Sequence, residues 1–232
     1  MTPLQQRLHH VLSTLPAGVQ LVAVSKYHPV SALREAYDCG QRVFGESRVQ
    51  ELQEKHAALP ADIAWHFIGH LQQNKVKYLA PYVSLIHAVD SLRLLQEIDR
   101  QGFRHREARL ANGLPAKIEV LLQLHVAQEE TKFGLTIEEC RQLLAEGTWK
   151  TLENVQIAGM MCMASNTDDE AQIAREFSEA ERFFAEAKQQ YFSEDSAFRI
   201  CSWGMSDDYP IALRHGATHV RVGSYIFGPR QY

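Results

Sequence analysis

Short apolar runs alternate with helical patterns along the whole chain, and this alternation constrains the fold more than any other feature. Many runs are nearly continuous in apolar residues, which is typical of strands covered on both faces. The predicted strands are 20–25, 42–45, 64–69, 83–88, 117–126, 155–162, 198–203 and 218–223. Eight strand–helix units fit an α/β fold with a TIM-type (β/α)8 barrel, with an extra N-terminal helix, better than a doubly wound sheet. We expect one domain over residues 1–232.

Several predicted helices have recognisable starts. Ser47 followed by Gln50 matches the capping-box pattern, in which the two side chains satisfy backbone N–H groups at the start of a helix. Thr136 followed by Glu139 repeats the pattern. These starts place helices between the predicted strands, as parallel crossovers require.

The segment 100–116 (RQGFRHREARLANGLPA) is the one long connection without a clear pattern. Arg104, Arg106 and Arg109 give it the look of a basic patch. Charge runs of this kind are usually solvated, so we expect a solvated loop or helix end rather than a binding surface.

Composition argues against several classes of protein. The chain carries a formal net charge of −4, whereas a general nucleic-acid binder needs a basic face to neutralise phosphates. It has neither an apolar start typical of a signal peptide nor the roughly 18 consecutive apolar residues that span a bilayer. We therefore expect a cytoplasmic protein that binds neither nucleic acid nor membrane. The cysteines are far apart, which favours reduced thiols (Cys39, Cys140, Cys162 and Cys201).

Lys26 stands where the first predicted strand, LVAVS, meets a turn. In (β/α)8 barrels the chemistry lies at the carboxyl ends of the strands. Two interpretations are open at this point. The Lys26 amine could extend into solvent, as most lysine side chains do. Alternatively, a low-dielectric pocket could keep it neutral, as a nucleophile able to form a Schiff base.

The loops after the seventh and eighth predicted strands carry groups suited to an anion. Ser206 is a natural N-cap for a helix running to about His215. Gly223 lets backbone approach a ligand closely, and Ser224 adds a hydroxyl and an N–H. In barrels these two loops often form a phosphate site. A helix cap and a chain turn explain each segment alone, but together with Lys26 they indicate a cofactor that has both an aldehyde and a phosphate.

A set of longer motifs runs from about residue 20 to residue 230. The motifs are LVAVSK, FGES, VQEL, WHFIGHLQQNKVK, IHAVDS, EETKFGL, GMMCM, GMSDDYPIALRHGAT and VRVGSYIFGPR. With these motifs, in this order and spacing, the chain resembles the pyridoxal phosphate homeostasis protein family, the single-domain relatives of the alanine racemase N-terminal barrel. The resemblance is specific, since WHFIGHLQ and RVGSYIFG would each be unusual by chance.

The resemblance implies that Lys26 holds pyridoxal 5'-phosphate as an internal aldimine. It also implies that Ser206, Gly223 and Ser224 contribute to a phosphate cradle, and that Arg221 lies beside the pyridine nitrogen. A permanent arginine charge at that place disfavours protonation of the ring, which restrains carbanion chemistry. From the residues alone, Arg221 could instead pair with a carboxylate across the barrel.

Three positions depart from the family's pattern. The family usually has asparagine where this chain has Ser47, and the shorter side chain could lose a contact to the cofactor. Ser47 is also explained as a helix N-cap. Ser224 replaces the usual threonine and keeps the hydroxyl, while Trp203 replaces a smaller residue and could alter the pocket wall.

Other ionisable residues lie near the predicted strand ends. His66 and His70 have the i, i+4 spacing of a helical zinc motif, but four residues of strand span roughly 13 Å, too far for two ligands of one metal. No metal site is therefore predicted. His70 could still line the barrel mouth, and His87 is expected to be a hydrogen-bonded core residue. Lys132 could reach the pocket, although a surface ion pair or a structural contact is the expectation.

The leading hypothesis is a protein that binds pyridoxal phosphate reversibly through Lys26 and keeps or delivers it. The resemblance implies a role in vitamin B6 and amino-acid balance, with apo pyridoxal-phosphate enzymes as candidate partners and a monomer or weak dimer as the expected state. One alternative is a pyridoxal-phosphate-dependent amino-acid racemase. Racemisation needs a second acid/base group on the other face of the cofactor, and the longer relatives supply it from a further β domain. We expect this chain, ending at Tyr232, to lack that domain. Another alternative is a Schiff-base aldolase without a cofactor.

Overall fold

Eight parallel strands close into a barrel in the computed structural model, in the order β1 to β8, which confirms the predicted fold class. The structure describes residues 1–128 and 133–229. The strands are β1 Gln20–Val24, β2 Val43–Glu46, β3 Ala64–Phe67, β4 Val83–Val89, β5 Ile118–Leu124, β6 Val155–Cys162, β7 Ile200–Met205 and β8 His219–Val222. Their limits differ from the predicted ones by no more than 2 residues.

Helices surround the barrel and connect the strands. They are α1 Pro3–Thr14, α2 Val30–Asp38, α3 Val49–Ala58, α4 Val76–Leu79, α5 Leu92–Arg104, α6 Arg106–Ala111, α7 Ile137–Glu146, α8 Glu170–Tyr191, α9 Tyr209–Leu213 and α10 Ser224–Phe227. The extra helix α1 precedes the first strand, as predicted. In the part of the chain that the structure describes, none of the helices has the length and apolar character needed to cross a membrane.

The pairing of β1 with β8 closes the barrel and determines where the strand ends meet. Val22 is in register with Arg221, and Ala23 is in register with Val222. On its other edge, β1 pairs with β2 through Ala23 and Phe44. Because the strands are all parallel, the segments that follow β1, β2, β7 and β8 come together at one side of the barrel mouth.

The apolar core has two parts. The larger cluster joins strands to the surrounding helices, and it includes Leu21 and Phe44 on strands and Leu33 and Leu52 on helices. A smaller, separate cluster comes mainly from β4 to β7 and fills that side of the barrel interior (Leu85, Ala88, Leu121, Ala158, Met161 and Ile200). The two parts correspond to the two faces of the strands, which explains why the strands are apolar almost throughout.

A buried polar chain occupies the other side of the barrel interior. His87 Nδ1 lies 3.0 Å from Ser202 Oγ, and His87 Nε2 lies 3.0 Å from His66 Nδ1. Since β4 and β7 are not neighbours in the barrel, the contact between His87 and Ser202 crosses the interior. His87 is therefore a hydrogen-bonded core histidine, as expected.

One of the two predicted capping boxes is present and the other is not. The Thr136 and Glu139 side chains cap the start of α7 reciprocally. Helix α3, in contrast, begins at Val49 with Arg48 at the N-cap position and no side-chain cap. The prediction that Ser47 caps this helix is therefore wrong, and its side chain is left for another role.

The segment 100–116 is largely helical rather than irregular. Helix α5 continues to Arg104, and α6 covers Arg106–Ala111. Arg109 is fully buried, and its guanidinium donates hydrogen bonds of 2.9 to 3.3 Å to carbonyl oxygens of Ala80, Val83, Pro115 and Lys117. The expectation of a solvated arginine at this position is wrong, because Arg109 ties together the segments that flank β4 and β5.

Candidate functional site

A cavity of about 380 Å³ lies at the carboxyl ends of the barrel strands. Its lining includes all six residues that the sequence singled out, namely Lys26, Ser47, Ser206, Arg221, Gly223 and Ser224. A larger surface depression of about 740 Å³, along α8, contains none of them. Because convergent polar groups rather than size mark a ligand site, the barrel cavity is the candidate.

Lys26 follows the end of β1 by two residues and is partly buried. Its side chain lines the cavity beside Val24 and His28. The primary amine of Lys26 is therefore part of a residue that lines the cavity. Such an amine can attack a carbonyl group on a ligand held in the same space.

Hydroxyl groups from two loops meet on one part of the cavity wall. The Gly223 N–H donates a hydrogen bond to Ser206 Oγ at 3.3 Å, and the Ser224 and Ser206 hydroxyl oxygens are 3.0 Å apart. The prediction that Ser206 caps a helix is wrong, since α9 begins at Tyr209 with Asp208 at the N-cap position and ends at Leu213. The Ser206 hydroxyl instead joins the loop after β7 to the segment after β8.

Gly223 approaches the neighbouring strand closely. A Cβ at this position would lie 3.0 Å from the Val24 carbonyl oxygen and 3.2 Å from the Val24 Cβ. The φ of Gly223 is −123°, so the backbone conformation itself does not call for glycine. The pairing of β1 with β8 brings the two segments together, and a side chain would press on the end of the strand that leads to Lys26.

Arg221 forms part of the cavity floor and is held by neutral oxygens. Its Nη1 donates to the Ser202 carbonyl oxygen at 2.6 Å and to the Ser202 hydroxyl at 2.8 Å. Its Nη2 donates to the Cys162 carbonyl oxygen at 2.9 Å. Burial lowers the pKa of the Arg221 guanidinium from its usual value. These hydrogen bonds go to β6 and β7 rather than to a carboxylate across the barrel.

Several lining residues were not predicted from the sequence, namely His28, Gln123, Phe133, Met163, Met205 and Asp207. For Gln123 a signal exists, because it is a buried polar residue that interrupts the apolar run Val120–Leu124 of β5. Its side-chain amide donates to the Phe133 carbonyl oxygen at 2.8 Å. The exposed Phe133 ring stacks on His70 at 4.2 Å between ring centres, so His70 lies at the cavity rim. Lys132, the other residue considered there, lies outside the described residues.

The fold and the cavity together define a (β/α)8 barrel protein with a lysine after β1 and convergent hydroxyl groups after β7 and β8. The family model for the alanine racemase N-terminal domain matches residues 2–231 of this chain. The pyridoxal phosphate homeostasis protein of Aquifex aeolicus is 37% identical over 214 residues, covering 92% of this chain and 88% of that protein. The Vibrio alginolyticus protein of the same name is 34% identical over 247 residues, and the match covers 100% of both chains. The chain belongs to the pyridoxal phosphate homeostasis protein family.

Comparison with solved structures supports the same family assignment. PipY of Synechococcus elongatus, solved with pyridoxal phosphate bound, is 37% identical, with a TM-score of 0.83 over 97% of this chain and 100% of PipY. Alanine racemase of Bartonella henselae superposes with a TM-score of 0.68 over 98% of this chain but is only 15% identical. That second likeness is evidence of a shared barrel fold alone.

Proposed function

We propose that the protein binds pyridoxal 5'-phosphate in the barrel cavity, with the Lys26 amine as the point of covalent attachment, and that it holds the cofactor for vitamin B6 homeostasis. The observation that carries the proposal is the lining of one cavity by both Lys26 and the Ser206, Gly223 and Ser224 group. When bound, the cofactor supplies an aldehyde that reacts with a primary amine and a phosphate that accepts hydrogen bonds.

The residues present suit the two ends of that cofactor. The Ser206 and Ser224 hydroxyls can turn toward a phosphate, since their present hydrogen bonds are with each other and with the Gly223 N–H. Glycine at 223 leaves space that a Cβ would fill. Ser47, which does not cap α3, also lines the cavity and is proposed as a contact to the cofactor.

Arg221 has a separate proposed role beside the pyridine nitrogen. Its hydrogen bonds to Ser202 and Cys162 keep the guanidinium in one place. A fixed cation at that place opposes protonation of the ring and so weakens the cofactor as an electron sink. We therefore propose a protein that holds the cofactor and releases it to apo pyridoxal-phosphate enzymes, rather than an efficient catalyst.

The test is covalent retention of pyridoxal phosphate at Lys26. The protein incubated with the cofactor is expected to turn yellow, and borohydride reduction followed by peptide mass spectrometry is expected to find the adduct on Lys26. Lys26→Ala should abolish both signals, whereas Lys77→Ala, at an exposed lysine of α4, should leave them unchanged. An adduct that persists in the Lys26→Ala protein contradicts the proposed attachment.

Two other functions give different results in the same preparation. A racemase would exchange the α-hydrogen of an added amino acid at an enzyme-like rate. A Schiff-base aldolase would be colourless, would ignore pyridoxal phosphate and would form a borohydride-trapped adduct with a sugar phosphate. Mixing the loaded protein with an apo pyridoxal-phosphate enzyme tests delivery, since direct transfer predicts faster activation than the same concentration of released cofactor gives.

A further inference from the structure

The backbone next to Lys26 is held in a conformation that L-residues avoid. Tyr27 has a φ of 67°, and among residues 1–128 and 133–229 it is the one non-glycine residue with a positive φ. A Cβ in the left-handed region lies too close to the following carbonyl oxygen, so this conformation persists only where surrounding contacts enforce it. The turn that presents Lys26 is therefore a strained element that needs an anchor.

Glu51, in the first turn of α3, provides one anchor. The Tyr27 N–H donates a hydrogen bond of 2.6 Å to Glu51 Oε1. The Arg48 guanidinium lies over the Tyr27 ring at 4.6 Å from its centre. The peptide that follows Lys26 is thus fixed to the start of α3 by a charge-assisted hydrogen bond, the stronger kind.

Lys55 provides the second anchor, one helical turn further along α3. It is buried, and its Nζ donates hydrogen bonds of 2.7 Å to Glu51 Oε1, to Glu46 Oε1 and to the Ser25 carbonyl oxygen. The Ser25 hydroxyl donates to Glu46 Oε1 at 2.6 Å. We call Lys55, Glu46 and Glu51 the Lys55 cluster. It holds the residues on both sides of Lys26, and the Lys26 side chain is left to line the cavity.

The Lys55 cluster lies behind the turn rather than in the site. None of its three residues lines the cavity that contains Lys26. Buried charges are retained at a cost in desolvation, and replacing them with apolar groups is often neutral or stabilising. Stability alone therefore gives little reason for a buried ammonium with two carboxylates at this place.

We infer that Glu51 and Lys55 are positioning residues, which set the direction of the Lys26 amine by holding Ser25 and Tyr27. The inference rests on the proposed function, because it concerns the attachment of pyridoxal phosphate to Lys26. Under this inference, the geometry of attachment depends on Glu51 and Lys55, which do not line the cavity. The Glu51 contact matters because it enforces the left-handed Tyr27 conformation.

The experiment compares Glu51→Ala, Tyr27→Gly and the double variant. The readouts are the affinity for pyridoxal phosphate and the rate of the covalent step, both followed by visible absorbance. Glu51→Ala is expected to weaken binding by about tenfold, the effect of losing one strong hydrogen bond. The double variant is expected to return to within about threefold of the wild type, because glycine adopts a positive φ without steric cost.

Two further variants separate positioning from folding. Glu51→Gln keeps an oxygen acceptor for the Tyr27 N–H and is expected to bind better than Glu51→Ala. Glu54→Ala removes an exposed carboxylate from the same helix and should bind as the wild type does. Urea unfolding of each variant shows whether the protein is folded under the conditions of the binding assay.

The outcomes distinguish this inference from the proposed function. If the wild-type protein does not bind pyridoxal phosphate at Lys26, the proposed function fails and the inference fails with it. If the wild type binds and Glu51→Ala binds equally well, only the inference fails. It also fails if glycine at position 27 restores no binding, since the role of Glu51 would then be one of general stability.

Discussion

Arg221 reaches from β8 to β7 and donates hydrogen bonds to both oxygens of Ser202, at 2.6 Å to the carbonyl and 2.8 Å to the hydroxyl. The same hydroxyl lies 3.0 Å from His87, which in turn contacts His66. The floor of the cavity is thus connected to the polar chain inside the barrel. Ser202 is the residue that links the two, because one hydroxyl serves both an arginine and a histidine.

We expect Ser202→Ala to destabilise the protein. The substitution leaves His87 Nδ1 without its partner and removes one of the acceptors of Arg221, and a buried polar group without a partner costs about 1–3 kcal/mol. Urea unfolding measures the difference. Ser13→Ala, which removes an exposed hydroxyl in α1, should change the free energy of unfolding by less than about 0.5 kcal/mol. Equal effects of the two substitutions would contradict a shared role for the Ser202 hydroxyl.

Stability should fall as the pH is lowered from 7 to 5.5, because histidines in the barrel interior are kept neutral. Burial lowers the pKa of His66 to about 3 and that of His219 to about 4, and it lowers the pKa of His87 well below its usual value. The nearby Arg221 charge further lowers the pKa of His87 and His219.

The sign follows from the difference in bound protons. Below a pH of about 6.5 these histidines become protonated in the unfolded chain but stay neutral in the folded chain. The free energy of unfolding therefore falls by roughly 1 kcal/mol per histidine between pH 7 and pH 5.5. Urea unfolding at both pH values measures the loss. His219→Gln removes one of the three histidines and should make this loss of stability smaller by about one third. His9→Gln, at an exposed position, should leave the loss unchanged. A stability that does not change between the two pH values would show that the interior histidines are not kept neutral.

Ser206→Ala should weaken binding of pyridoxal phosphate but not of pyridoxal, which lacks the phosphate. Losing one hydrogen bond to a charged group lowers affinity by about tenfold or more. Titration followed by visible absorbance gives both affinities with the same protein. A similar loss for the two ligands would mean that Ser206 supports the cavity wall through Gly223 and does not bind the phosphate.

Arg109→Met should cost about 3 kcal/mol or more, since carbonyl oxygens that now share a charged donor would be left buried without it. Arg106→Met, at an exposed position of the same short helix, should cost less than about 0.5 kcal/mol. Thermal or urea unfolding compares the two variants. Equal costs would contradict a structural role for the buried Arg109 guanidinium and would agree with the solvated arginine that its sequence context suggests.

Local patterns were sufficient to predict the barrel and to single out Lys26, Ser206, Gly223 and Ser224, which line its cavity. Arg221 and Ser47, which also line it, were named through the family resemblance. Each predicted strand depends on a short apolar run, and the β1–β8 pairing then follows from the closure of eight parallel strands. Lys26, Gly223 and Ser224 could be assigned to one end of the barrel for the same reason, since each stands just beyond a strand. The roles of these residues toward a cofactor remain proposals.

The roles of several polar side chains could not be predicted in this way. Ser47 and Ser206 have the sequence context of helix caps, yet neither caps a helix. Arg109 has the context of a solvated charge and is buried. Ser206 and Arg109 instead contact residues that are distant in the sequence, such as Gly223 and Ala80, and local spacing contains no information about such partners.

The sequence by itself determined the order of the eight strands and their alternation with helices, because hydrophobic periodicity and strand ends are properties of neighbouring residues. Only the tertiary structure decided how Tyr27 is held by Glu51, how His87 meets Ser202 and how Gly223 packs against Val24. These contacts join residues separated by tens to hundreds of positions. They depend on the register of the closed barrel, which is set by all eight strands together.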